Sequence, residues 1–62
     1  MNNKDQLKKL GKLYIEIGEL CNKAVVLIEK EEAGEIVPDS EMNEIIGAYM
    51  VKLMELQKVA NA

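Results

Sequence analysis

Apolar side chains recur through the first half of the chain at Leu7, Leu10, Tyr14, Ile17, Cys21, Ala24 and Ile28, at intervals of 3, 4, 3, 4, 3 and 4 residues. That spacing keeps them on one seam of an α-helix, the geometry by which helices pack side by side. A second stripe, Met42, Ile46, Tyr49, Leu53, Leu56 and Ala60, repeats at 4, 3, 4, 3 and 4. The pattern predicts a first helix over about residues 3–33, a connector over 34–39 and a second helix over about 40–59, with the last residues fraying. Asn2, Asn3 or Asp5 is a candidate cap for the first helix, and Asp39 or Ser40 for the second. Gly34 is a natural C′ residue, free to adopt positive φ. Pro38 pushes Val37 away from helical dihedrals.

Two striped helices joined by a short connector form an antiparallel α-hairpin. Its expected core is Cys21, Ala24 and Ile28 against Met42, Ile46, Tyr49, Leu53 and Leu56. Counted outward from the turn, Ile28 falls near Ile45 or Ile46, Cys21 near Leu53 and Ile17 near Leu56. Leu7 and Leu10 are then left without a partner, because the first helix overhangs the second by about two turns, roughly 10 Å.

The apolar sector of the first helix is wider than one seam needs. Leu13, Leu20 and Leu27 add a row on one flank, and Gly11, Gly18 and Val25 lie on the other. A sector covering about half the circumference suits a helix with two or more neighbours, as in a four-helix bundle. The expected self-interface is therefore Leu7, Leu10, Gly11, Leu13, Tyr14, Ile17, Gly18, Leu20 and Leu27. Each glycine costs the helix about 1 kcal/mol relative to Ala, and their shared face suggests close approach of another backbone.

At 62 residues the chain is one domain at most, and a chain this short needs a staple. One cysteine and no histidine leave no intramolecular disulfide and no common zinc set, so the expected staple is oligomerisation, as a homodimer. The net charge is −3 and all eight cations are lysines, a poor inventory for phosphate forks or base edges, so nucleic acid is not an expected partner. Lys4, Lys8, Lys9 and Lys12 crowd the start of the first helix, and Glu29, Glu31 and Glu32 its end. Both placements oppose the helix dipole, and an antiparallel pairing of first helices would set them side by side. No apolar run approaches the roughly 18 residues of a membrane span. These features read as a cytoplasmic protein with a reduced thiol.

Little here carries chemistry. General acid–base work most often uses His, and there is none; Ser40 is the only serine and there is no threonine. Cys21 reads as a small hydrophobe in the seam. Tyr14 and Tyr49 read as core residues with hydroxyls at the bundle edge. Glu16-x-x-Glu19 and Glu41-x-x-Glu44 superficially resemble the acidic motifs of all-α nucleotide pyrophosphohydrolases. Such motifs hold Mg²⁺ only when their carboxylates converge inward, whereas here they fall on faces away from the stripes. No catalytic, metal or cofactor-binding residue is assigned.

The expectation from sequence is an all-α, two-helix antiparallel hairpin associating into a four-helix bundle. The function that fits is a non-enzymatic interaction module, a regulator or inhibitor that binds a protein partner through its helical surface. Small acidic chains carried by phages and mobile elements often work this way, an association of composition only. The alternative is an oligomer that binds a small ligand between subunits, near Tyr14, Tyr49, Gly11 and Gly18.

Overall fold

The computed structural model describes residues 3–62. Among them are two helices, α1 (Asn3–Glu32) and α2 (Asp39–Ala60), packed against each other as an antiparallel hairpin. The rod measures 49 × 15 × 9 Å, with a radius of gyration of 14.8 Å against the roughly 10.6 Å of a compact domain of this length. Neither helix is long and apolar enough to cross a membrane.

The end of α1 follows from Gly34. At φ +88° it reverses the chain, and the Glu35 N–H donates to the Lys30 carbonyl and the Gly34 N–H to the Glu31 carbonyl, both at 3.0 Å. These are the two bonds of a Schellman cap, which satisfy carbonyls the helix leaves orphaned. The connector has no regular structure from Glu35 to Pro38, Ile36 is in solvent, and Val37 is half-buried.

The start of α2 differs from expectation. Pro38, with φ −60° and ψ 138°, is its N-cap, and no side chain caps it. The Pro38 carbonyl accepts the Glu41 N–H at 3.1 Å. Asp39 and Ser40 are inside the first turn, where Asp39 and Glu41 suit the helix dipole. Proline explains the shift, since its extended ψ and fixed φ already have cap geometry. At the other terminus the chain stays ordered: Asn61 N–H donates to the Gln57 carbonyl at 3.0 Å and Ala62 N–H to the Val59 carbonyl at 3.3 Å. The candidate cap Asn2 lies outside the described residues; Asn3 is already the first helical residue and Asp5 lies in the first turn.

The hairpin core is Leu13 and Leu27, 6% and 8% exposed, with Leu20 half-buried between them. This corrects the expected seam. The working seam of α1 is Gln6, Leu10, Leu13, Ile17, Leu20, Ala24 and Leu27, all buried or half-buried. That of α2 is Met42, Ile45, Tyr49, Lys52, Leu56 and Val59, half-buried except for Tyr49 at 36% exposure. Leu10, Ile17, Ala24, Met42, Tyr49 and Leu56 belong to both the expected and the observed stripes. Cys21, Ile28, Ile46 and Leu53, expected in the core, are exposed. Leu13, Leu20 and Leu27, expected in the self-interface, hold the hairpin together instead.

The register also differs. Gln6 Nε2 donates to the Val59 carbonyl at 2.7 Å and Lys52 Nζ lies 2.8 Å from Glu16 Oε2. Paired residue numbers therefore sum to about 65–68 rather than the expected 73–74. Cys21 does not oppose Leu53, Ile17 does not oppose Leu56, Ile28 does not oppose Ile45 or Ile46, and α2 reaches as far back as Gln6, so the two-turn overhang is absent. The cause is that the chain reverses at Gly34, directly after α1, and not at the middle of the connector. Glu35 already folds back beside Val26, Glu29 and Lys30.

Candidate functional site

The seam divides the rod into two unlike faces. On one, α1 presents Lys9, Lys12, Glu16, Glu19 and Lys23, and α2 presents Glu41, Glu44, Glu55 and Lys58. Lys52 occupies a seam position, lays its aliphatic stem along the contact and carries its ammonium out to this face, where it meets Glu16 at 2.8 Å and Glu55 at 3.7 Å. The hydrogen bond from Lys52 holds the Glu16 carboxyl below its ordinary pKa, and the same bond holds the Lys52 ammonium above its own. Shallow grooves of about 550 and 350 Å³ flank the seam here, walled by side chains of both signs.

The opposite face is open and apolar. On α1 it is built from Leu7, Tyr14, Cys21 and Ile28, with Gly11, Gly18 and Val25 beside them; on α2 from Ile46, Met50 and Leu53, with Tyr49 at the edge. The large apolar side chains of this group are all at least a third exposed, Leu7 and Tyr14 at 67% and 61%. Between Lys4 and Glu32 on α1, and from Met42 to Ala60 on α2, this face has no Lys, Asp or Glu. At its centre Leu20, Cys21, Ala24, Met42, Ile45, Ile46 and Tyr49 line a recess of about 140 Å³ whose wall is wholly apolar.

Helical periodicity accounts for both faces. Gln6, Leu13, Leu20 and Leu27 form one column of α1, Leu10, Ile17 and Ala24 the next, and Leu7, Tyr14, Cys21 and Ile28 a third. α2 covers the first two. The third has the same heptad spacing and nothing packed on it.

The expected site residues therefore separate. Leu7, Gly11, Tyr14 and Gly18 lie on the open face, joined by Cys21, Ile28, Ile46, Tyr49 and Leu53; Leu10 and Ile17 line its inner edge; Leu13, Leu20 and Leu27 point into the seam. Gly11 and Gly18 approach nothing within the chain: a Cβ on either would meet no atom within 4 Å. Sequence reasoning passed over Gln6 and Lys52, whose polar ends disqualified them as seam members. The signal that could have found them is their column: each is in step with Leu13, Leu20 and Leu27 or with Ile45 and Val59. Among the described residues, no three acidic or thiol groups converge as metal ligands would. In comparisons with known protein families, curated proteins and solved structures, the chain matches none.

Proposed function

We propose that the chain is a non-enzymatic helical interaction module that works through its open apolar face, taking up a second pair of helices to complete a four-helix bundle. In this role it acts as a regulator or inhibitor, engaging a protein helix by helix. The observation that carries the reading is the contrast between the two faces. A row of large apolar side chains with no Lys, Asp or Glu runs the length of the rod on one side only. Monomers rarely expose a contiguous patch of this kind, and one rimmed by polar residues marks an interaction site.

Hidden area supports the same reading. A 7.0 kDa chain exposes about 10,000 Å² unfolded, and the hairpin still exposes 4858 Å², so folding hides about half, where a domain of this size hides about 60%. A second pair of helices supplies the missing burial. Within one chain the central recess, at about 140 Å³, is less than half the roughly 300 Å³ at which small-molecule pockets begin, so the small-ligand alternative, with its site between subunits near Tyr14, Tyr49, Gly11 and Gly18, also requires association through the open face.

The test compares paired substitutions at residues of similar exposure. Ile46→Asp with Leu53→Asp alters the open face, and Val26→Asp with Val51→Asp alters the other side. The native mass of the tagged chain in cell extract is the readout. The open-face pair is expected to reduce it to that of the lone chain and the other pair to leave it unchanged. Equal effects from both pairs, or a wild-type chain already at monomer mass, would refute the proposal.

A further inference from the structure

The rod has two poles. At its open end lie Lys4, Lys8, Lys9, Lys12 and Lys58 with Asp5 and Glu55, a charge of +3. At its turn end lie Glu29, Glu31, Glu32, Glu35, Asp39, Glu41 and Glu44 with Lys23 and Lys30, a charge of −5. The rod is 49 Å long, several times the roughly 8 Å over which charge is felt in physiological salt. Each pole therefore responds only to what lies directly beside it.

Resting on the reading of the open face as an interaction surface, we propose that its occupant is the same face of a second copy, set antiparallel, with α1 lying over α1 of that copy. Closed two-fold pairing of two such faces has two solutions. With the axis along the rod, like poles coincide and α1 lies over the second copy's α2. With the axis across the rod, the +3 pole lies beside the second copy's −5 pole and α1 lies over α1. Only the second places opposite charges together.

The outer column of the open face on α1 fits this axis. It reads Lys4, Gly11, Gly18, Val25, Glu32, and reversal about Gly18 sets Lys4 against Glu32 of the second copy, Gly11 against Val25, and Gly18 against itself. The two residues without a side chain thus fall at and next to the crossing point, where nothing in the single chain fills the space beside them. The area agrees. A compact 7.0 kDa protein exposes about 4,000 Å², the hairpin exposes 4858 Å², and the excess matches the roughly 800 Å² each partner contributes to a standard interface.

Sedimentation equilibrium at low salt on charge-swapped chains tests the arrangement. In the antiparallel setting Lys4 and Lys8 face Glu32 and Glu29 of the second copy; Lys4→Glu with Lys8→Glu sets like negative charges against each other there, Glu29→Lys with Glu32→Lys like positive ones, and the four changes together restore opposite charges at the facing positions. Each half-swap is expected to weaken dimerisation at least about tenfold, since several flanking ion pairs are lost at once. The fourfold variant should return to within a few-fold of wild type, and Gly18→Leu should dissociate the dimer while circular dichroism still reports helix. Half-swaps without effect, or no restoration by the full swap, overturn the antiparallel setting; if Ile46→Asp with Leu53→Asp still dissociates the complex, the open face stands as the interface. A folded monomer at every concentration overturns the second copy as occupant, and native mass in cell extract then tests the face for another protein.

Discussion

Leu13→Ala and Leu7→Ala remove the same atoms from the two columns of α1 that flank Leu10, Ile17 and Ala24, and separate the observed seam from the stripe most prominent in the sequence. Leu13 is 6% exposed. Truncation withdraws about three carbons from the contact, about 2.4 kcal/mol at 0.8 kcal/mol per methylene. A two-helix seam is open at its sides and collapses readily, so the cavity contribution is small and the total belongs at the low end of the 2–5 kcal/mol seen for such changes, about 2–3 kcal/mol. Leu7 is 67% exposed; a third of the same transfer energy is under about 1 kcal/mol. A domain of 62 residues has about 3–9 kcal/mol in total. Leu13→Ala thus removes about a fifth of it or more, a fall in Tm of about 10–20 °C. The assay is thermal and urea unfolding followed by circular dichroism at the lowest practical concentration, where association adds least to stability. An unchanged urea slope would show that the denatured states are comparable. A loss from Leu7→Ala equal to that from Leu13→Ala in the dilute limit, or a loss from Leu13→Ala below about 0.5 kcal/mol, would refute the seam assignment.

Two further outcomes follow from local geometry. Gly34→Ala is expected to destabilise the hairpin by about 1–2 kcal/mol, because φ +88° is strained for any residue with a Cβ. Gly47→Ala, on the outer surface of α2 with open space for a methyl group, should stabilise it by up to about 1 kcal/mol; urea midpoints moving in the same direction for both would contradict this. The Glu16 carboxyl, lowered by its hydrogen bond from Lys52, contributes stability that is fully present above the unfolded glutamate pKa of about 4.3 and lost as the pH falls through the lower folded value. Side-chain carboxyl titration by NMR should show Glu16 moving up in Lys52→Met, and identical midpoints in the two proteins would dispose of the cross-helix bond.

How far the chain could be read from its sequence depended on how far each feature is local. The two helices, their ends to within a residue or two, and the role of Gly34 are set by backbone preferences within a few residues of each position. The choice of seam is not local. Leu7, Tyr14, Cys21 and Ile28 are uniformly apolar, whereas the column that α2 covers begins at Gln6 and meets Lys52 across the helix pair. A pattern that scores polarity alone rejects both. Gln6 enters because its amide reaches the Val59 carbonyl at the end of α2, and Lys52 because its stem is apolar and its ammonium finds Glu16. Register was misjudged for a related reason: the reversal point depends on one positive φ at Gly34, and not on the length of the connector.

That misreading carries information about association. Had only one column of α1 been apolar, the seam would have been unambiguous and the hairpin would have had a polar back. The ambiguity exists because α1 has apolar residues in the columns on both sides of Leu10, Ile17 and Ala24, and one helix can cover only one side. α2 repeats the arrangement, with Ile45 and Val59 turned inward and Ile46 and Leu53 outward. Both helices leave their spare column on the same side of the rod, so the two combine into one continuous face. Random scatter of surface hydrophobes, common in any protein, would not place both spare columns on one side and the cross-helix Lys52–Glu16 ion pair on the other. The face is therefore a property of the pair of helices, legible only once the seam and register are known, and it is the surface that the proposed four-helix bundle would bury.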